Sequence, residues 1–413
     1  MTDRPTNKKK ILNDPVYGFI TLRHDILHDL IDHPWFQRLR RISQLGLSHL
    51  VYPGAVHNRF HHALGAMHLM QSAVEEIRQK GHVITDKEAL GVSIAILLHD
   101  IGHGPFSHAL EHSIVGNVNH EDISTFMMNR LNEEFHGELN TAIEIFNNHY
   151  PKKFLHELVS SQLDMDRMDY LRRDSFYSGV AEGQISSERI IKMLNVAGDK
   201  LVVEEKGIYS VEKFIVARRL MYWQVYLHKT VLSAEYMLMN ILKRAKWLAG
   251  QGASLFASPA LHLFLSNNLS KEDFLSNPDI LDQFAQLDDY DILGAIKVWQ
   301  HHEDKVLSLL CQKLLSRELF KIELRKDPFS ERDIASELDK VTKHLNLSND
   351  EAQYFVISEH IDNRAYSTAA SAIMIRFKDG TLKDAASASD HLNLSALSQP
   401  VTKHFLCSPF LGN

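Results

Sequence analysis

Apolar residues recur along most of this chain at spacings of three and four, the period of an amphipathic helix. Between 25 and 43 the pattern runs Ile26, Leu27, Leu30 and Ile31, then Phe36, Leu39 and Ile42, with Pro34 interrupting it. After the turn at Tyr52-Pro53-Gly54, the series Phe60, Leu64, Met67, Met70 and Val74 predicts a helix from about Asn58 to Lys80. The stretch 88–99 is almost uniformly apolar, which predicts a helix buried on all sides, stopped by Gly102 and Gly104-Pro105. Helices are expected over 121–135, 138–147, 152–163 and 165–173. A short β-hairpin follows at 200–210 with Lys206-Gly207 at its turn, then one long helix from about Val211 to Ala249. The polar stretch 249–254 reads as a linker. Beyond it come further amphipathic helices and one strand-like pair around Lys378-Asp379-Gly380. The fold class expected is mainly α, with a compact all-helical core. Residues 1–250 form that core with its N-terminal segment, and 251–413 a mostly helical C-terminal region with a small β element.

Composition narrows the picture. A chain of 413 residues, 44% hydrophobic and 23% charged, has the make-up of an ordinary globular protein. It has no apolar run of membrane-spanning length, and Met1 to Lys10 is polar and basic without a hydrophobic core of its own. A cytoplasmic protein with no membrane partner is expected. Cys311 and Cys407 are the only cysteines, so neither a disulfide framework nor a cysteine metal cage is expected. The net charge of −7 repels nucleic acid as a main partner, and any phosphate must be met by a local cluster of cations. Histidine is abundant at 25 residues, and ten of them fall between His57 and His120, which points to metal chemistry.

His99 and Asp100 stand where the apolar helix ends. Two ionisable groups there are costly to bury unless paired or metal-bound. A lone His-Asp dipeptide says little, but here it has company. Upstream lies Arg59-Phe60-His61-His62, and downstream the segment from Asp164 to Tyr170 carries Asp164, Asp166 and Asp169. One histidine, the His-Asp pair and one distant aspartate would hold a divalent metal ion (Mn, Fe, Mg or similar) and leave positions open for water and substrate. Spacing alone leaves His61 against His62 open, since neighbours on a helix point about 100° apart. It leaves the three aspartates open in the same way. His103, His108, Glu111 and His120 are placed for acid–base work or phosphate contact. His108 and Glu111 lie three apart, so on one helical face the carboxylate can orient the imidazole. His108 is therefore the leading general acid/base, with Glu111 and His120 its partners. His57, His68, His82 and His112 carry no motif and are expected to be structural or on the surface.

These segments resemble the deoxynucleoside triphosphate triphosphohydrolases of the HD-domain superfamily, from about residue 10 to 250, with a weaker echo near Ser316 to Lys321. The resemblance is carried by the segments Phe36 to Gly46, Tyr52 to Ala55, His99 to His108 and Asp169 to Asp174. It implies an HD-domain core and a homo-oligomer, and no SAM domain is expected ahead of that core. It implies that His62, His99, Asp100 and Asp166 are the metal ligands. The activity implied is cleavage of a dNTP at the α-phosphate to deoxynucleoside and inorganic tripolyphosphate, as in a dGTPase. The triphosphate would meet Arg59, Arg167 and Arg218, with Arg167 standing where the family often has lysine. The sugar would meet Gln44, Leu45, Asp174 and Tyr226, with Tyr226 excluding a 2′-hydroxyl, and Tyr170 would pack against phosphates or sugar. For Leu45 and Tyr170 core packing is the competing account.

Many relatives carry a second, regulatory nucleotide between subunits. Lys10, Asn13, Asp32, Gln37, Arg40 and Arg317 match positions used there. Phe19 and Glu204 depart from that pattern, and an acidic Glu204 would repel a triphosphate. Two other readings are another HD phosphohydrolase, acting as a nucleotidase or phosphodiesterase, and a nucleotide sensor without catalysis.

Overall fold

The computed structural model describes residues 10–106, 118–363, 366–367, 372–390 and 399–411. The chain opens with an antiparallel hairpin, β1 (Lys10–Asp14) and β2 (Gly18–Leu22), in which Asn13 pairs with Phe19. Helix α1 (Asp25–Asp32) follows and buries Ile26, Leu27, Leu30 and Ile31, the predicted stripe. At Pro34 the chain restarts as a single turn, then tightens into a 3₁₀ turn at Arg38–Arg41.

Three helices build the centre. In α2 (Arg59–Gln79) the Asn58 side chain caps the first turn by accepting the His61 N–H at 3.2 Å. In α3 (Asp86–Leu98) Thr85 and Glu88 form a reciprocal capping box, and from Gly91 onward the helix is buried on all sides, as its composition predicts. Helix α5 (Met165–Ser178) starts on Asp164, which accepts the Arg167 N–H at 2.7 Å, and ends at Gly179 in the left-handed conformation. Helix α4 (His120–Glu134) packs beside the end of α3. Gly102 permits this: a Cβ there would strike the backbone of His120 and Ser124.

Two expectations need correction. The hairpin lies earlier than predicted, as β3 (Leu194–Ala197) and β4 (Lys200–Glu204). Its two-residue turn is Gly198-Asp199, both at positive φ, which matches the twist of paired strands. Lys206-Gly207 instead belong to a 3₁₀ turn leading into the next helix. That helix is also not continuous. It runs as α6 (Ile208–Met221), widens into a π-helical turn over Tyr222–Tyr226, breaks at Leu227-His228, and resumes as α7 (Lys229–Gly250). The Leu227 N–H bonds the Tyr222 carbonyl at 2.7 Å, five residues back, and such turns often mark functional sites.

After α7 the chain is again mostly helical, including α8 (Asp289–Trp299) and α9 (Lys305–Leu315). Strands β5 (Lys321–Arg325), β6 (Ile357–Asn363) and β9 (Val401–Ser408) form an antiparallel sheet with β9 in the middle. The predicted pair around Lys378-Asp379-Gly380 is β7 (Met374–Arg376) and β8 (Leu382–Asp384), and β7 adds in parallel to β4. The apolar core runs without a break from Ile20 to Cys407, through α2, α3 and α7 into α9. Among the described residues no helix is long and apolar enough to cross a membrane. The molecule is predominantly helical with a few short strands, as its periodicity predicts.

Candidate functional site

The ends and faces of α2, α3 and α5 meet at one buried point. His62 lies on the first turn of α2, His99 directly after α3, and Asp166 on the first turn of α5. The His62 Nε2 lies 3.3 Å from the His99 Nε2 and 3.1 Å from the Asp166 Oδ1, and the His99 Nε2 is 3.6 Å from the same oxygen. These three ligating atoms lie within 4.8 Å of one another. Asp100 is the outer member. Its Oδ1 stands 3.3 Å from the His99 Nε2, and its Oδ2 stands 3.8 Å from the His62 Nε2 and bonds the Arg59 guanidinium.

The donor chemistry fits a metal ion. The His99 Nδ1 is 2.6 Å from the Ile96 carbonyl, which can only accept, so the ring proton sits on Nδ1 and leaves Nε2 a lone pair. The His62 Nδ1 is 2.7 Å from the Asp169 carboxylate, which fixes the same tautomer. Two imidazole lone pairs therefore face each other and two carboxylates. Bonds of about 2.0–2.2 Å to one cation would separate neighbouring ligand atoms by roughly 3.0–3.6 Å, close to the spacings found. Burial pulls the His62 imidazole down, but hydrogen bonds to Asp166 and Asp169 outweigh it and raise it to about 10. Burial likewise pushes Asp100 up, yet His99, Arg59 and His103 hold it well below the usual carboxylate range.

Behind His62 stands a second layer. Asp169 accepts from the Arg173 Nε at 2.9 Å as well as from His62, and Arg173 reaches Asp14 at 2.7 Å. Asp14 in turn accepts the Val16 and Tyr17 N–H groups, which ties the N-terminal hairpin to the site. Gly65 makes room for this pair, since a Cβ would collide with Asp169 and Arg173. The three aspartates thus separate: Asp164 caps α5, Asp166 faces the imidazoles, and Asp169 buttresses His62 from behind. His61 is half-buried beside Tyr177, away from the cluster.

Of the acid–base candidates, His103 and His120 stack with centroids 3.9 Å apart, and the His103 Nε2 lies 3.3 Å from the Asp100 Oδ1. Burial and the nearby Arg59 guanidinium hold His103 well below its usual value, so it is neutral at pH 7. His108, Glu111 and His112 lie outside the described residues.

A cavity of about 430 Å³ opens beside the cluster. Its lining includes Arg59, which bonds Asp100, and Arg167, next in sequence to Asp166, together with Gln44, Leu45, Tyr170, Asp174 and Tyr226. Both Asp174 oxygens are engaged: Oδ1 by the His57 Nε2 at 2.7 Å and Oδ2 by the Tyr226 hydroxyl at 2.7 Å. His57 is thus buried and tied to the pocket rather than on the surface, stacked on Tyr177. Arg218 is not among the lining residues; it lies 5.8 Å from the Tyr222 ring, with its Nε unbonded among the described residues. Sequence reasoning missed Glu235, which lines the pocket with Leu232 and Met239. A lone carboxylate within an apolar stripe was the available signal.

Asp289 was missed as well. From the N-terminus of α8 its two oxygens accept the Ser43 N–H and the Phe106 N–H, both at 2.8 Å. Buried Arg38 works alongside, donating to the carbonyls of Ile101, His103 and Leu287. The C-terminal region therefore clamps both the segment leading into Gln44 and the loop after His99-Asp100.

The six residues matched to a regulatory nucleotide are partly gathered. Lys10 contacts His28, which pairs with Asp32 at 3.2 Å. Gln37 accepts from Arg40 at 2.8 Å and donates to the Ile31 carbonyl. Asn13 lies on β1 opposite Phe19, which is exposed, and Arg317 bonds the Leu50 carbonyl. Glu204 faces Lys80 at 3.0 Å.

Comparison with known proteins agrees with this geometry. Residues 59–174 match the HD domain and residues 185–251 the HD associated region. The crystal structure of a phosphohydrolase from Bacteroides thetaiotaomicron superposes with a TM-score of 0.95 at 55% identity, covering 98% of this chain and 100% of that one. The uncharacterized protein YwfO of Bacillus subtilis is 35% identical over 86% of this chain and 81% of its own length. A Dictyostelium discoideum homolog of the deoxynucleoside triphosphate triphosphohydrolase SAMHD1 is 34% identical over 59% of this chain, which spans 51% of that protein. The chain belongs to the HD-domain family of phosphohydrolases, in a branch that includes relatives of the dNTP triphosphohydrolase type.

Proposed function

We propose that this hydrolase is a dNTP triphosphohydrolase that converts a dNTP to the deoxynucleoside and inorganic tripolyphosphate. The observation that carries the reading is one cavity of about 430 Å³ whose lining includes Arg59, which bonds Asp100, and Arg167, next in sequence to Asp166, together with Gln44, Asp174 and Tyr226. That volume suits a nucleoside, and most of the wall has no part in holding a metal.

His62, His99, Asp100 and Asp166 would hold a divalent cation, which supplies Lewis acidity toward a phosphoryl oxygen. Arg59 and Arg167 bind the triphosphate and neutralise charge on its oxygens, with Arg218 close by. Asp174, oriented by His57 and Tyr226, takes the 3′-hydroxyl, and the Tyr226 ring leaves no room for a 2′-hydroxyl. Neutral His103 donates from Nε2 toward Asp100. As water adds to the α-phosphorus and the bond to the 5′ oxygen breaks, His108, partnered by Glu111 and His120, gives a proton to the departing deoxynucleoside oxygen.

The same reading extends to regulation. A homo-oligomer would bring a second nucleotide to the strip formed by Lys10, Asp32, Gln37 and Arg40, with Asn13 and Arg317 at its margins. Activation of one dNTP's turnover by another, with a rise in oligomer mass, would support it.

The deciding assay incubates the protein with Mg²⁺ or Mn²⁺ and each dNTP and identifies products by phosphorus NMR. Tripolyphosphate with deoxynucleoside is the expected result. A monophosphate with pyrophosphate, or turnover of other phosphate esters alone, would overturn it in favour of a nucleotidase or phosphodiesterase.

A further inference from the structure

Two segments far apart in sequence line the cavity together. Gln44-Leu45-Gly46 and Ser48 come from one loop, and Tyr222 and Tyr226 from the π-helical turn. Tyr52 joins them. Its backbone N–H bonds the Ser48 carbonyl at 2.8 Å, and its hydroxyl donates to the Gln224 carbonyl inside the turn. Its ring meets the His228 ring edge-on, with centroids 5.9 Å apart.

The Gln224 carbonyl has a specific need for that donor. In a continuing α-helix it would accept the His228 N–H, four residues on. Here His228 is extended, at φ −64° and ψ 127°, and its N–H lies 3.3 Å from the Val225 carbonyl instead. The break follows from the wider turn, in which Leu227 rather than Tyr226 bonds the Tyr222 carbonyl. Slipping back to α register would rotate the end of the turn about the helix axis by up to about 100°, one residue's step. Register therefore decides whether the Tyr226 ring faces the cavity, where its hydroxyl bonds Asp174 at 2.7 Å. The Tyr52 hydroxyl favours the π register, because a regular helix would fill the Gln224 carbonyl by itself.

We propose that Tyr52 is a positioning residue for sugar discrimination: by holding the π-helical turn it keeps the Tyr226 ring where a 2′-hydroxyl would stand. This rests on the triphosphohydrolase reading for the place of the sugar in the cavity. Tyr52 stands behind the lining rather than in it, so it acts through Tyr226. The preference for deoxyribonucleotides over ribonucleotides is then set by a hydrogen bond that never touches the nucleotide.

The test compares the wild type with Tyr52→Phe, which keeps the ring against His228 and removes only the hydroxyl. Each is assayed for kcat/KM on dGTP and on GTP, and its melting temperature is measured alongside. Calorimetry with deoxyguanosine and guanosine reads the same preference without turnover. A pocket that rejects one added hydroxyl by shape gives a preference of about 100-fold, which we expect of the wild type. In Tyr52→Phe the preference for dGTP over GTP should fall by about 10-fold, the effect of one buried hydrogen bond. The ratio of deoxyguanosine to guanosine binding should fall in step. A merely structural Tyr52 would lower the melting temperature and leave both ratios unchanged, and that result would overturn the proposal. So would a wild type that treats the two sugars alike. If no dNTP yields tripolyphosphate, the triphosphohydrolase reading is wrong, and the calorimetric ratio still decides the role of Tyr52.

Discussion

The Nε2 atoms of His62 and His99 lie 3.3 Å apart, and each ring commits its other nitrogen to an acceptor that has nothing to donate in return. Asp169 sets the tautomer of one and the Ile96 carbonyl that of the other. Facing lone pairs of this kind are stable when a cation lies between them, which makes the cluster a candidate metal centre by its hydrogen-bonding pattern as well as its residue types.

Removing a ligand and removing its support should therefore differ. Asp166→Ala takes away a facing oxygen, and both bound metal and activity should be lost. Asp169→Asn leaves the facing atoms in place but weakens the hold on His62, so metal affinity should drop by about 10- to 100-fold without vanishing. Metal titration and elemental analysis check both. Full metal content in Asp166→Ala would refute its assignment.

Asp289 couples the C-terminal region to the pocket. Asp289→Ala leaves the Ser43 and Phe106 N–H groups without their acceptor, at a cost of about 2–4 kcal/mol for two charge-assisted bonds. Because Ser43 precedes Gln44, KM for the nucleotide should rise as well. Urea unfolding and steady-state kinetics measure the two effects; unchanged KM alongside lost stability would confine Asp289 to a structural part.

Gly102→Ala tests the seam between the loop after α3 and α4. The new Cβ meets backbone of His120 and Ser124, so α4 must move. Overpacking of this sort costs about 1–3 kcal/mol. The His103–His120 stack should open, and activity should fall more than metal content does. Wild-type activity at wild-type melting temperature would contradict the close packing.

The raised Glu235 carboxyl gives a signed pH effect in the protein without nucleotide. Its folded value, about 7, lies above that of an unfolded glutamate near 4.3, so between these values the folded state binds more protons. This group's contribution to stability is therefore full below about pH 4 and is lost as pH rises toward 7. E235Q removes that slope and should be about 1–3 kcal/mol more stable than the wild type above pH 7, with little difference at pH 4. Melting curves across pH 4–8 measure it, and parallel curves for the two proteins would be the contrary result.

Much of this protein is written in local pattern. The period of three and four located α2, and the uniformly apolar run located α3, each to within a few residues. The run of apolar residues ending in His99-Asp100 marked the candidate metal centre, because charge at the end of a buried helix demands a partner. Local pattern could not choose between His61 and His62, or among Asp164, Asp166 and Asp169, because each stands one helical step from a rival. The resemblance to the HD enzymes pointed to His62 and Asp166, and the convergence of α2, α3 and α5 brings those two together with His99. The sequence also gave no warning of the π-helical turn at Tyr222–Tyr226, and it left His57 without a role until Asp174, 117 residues away, was seen to hold it. Asp289 bonds Ser43 across 246 residues, and Glu235 on α7 faces Gly46 in a turn far away in sequence. Periodicity describes which side of an element is buried; only the packing of those elements decides which polar atoms meet there, and which are left waiting for a ligand.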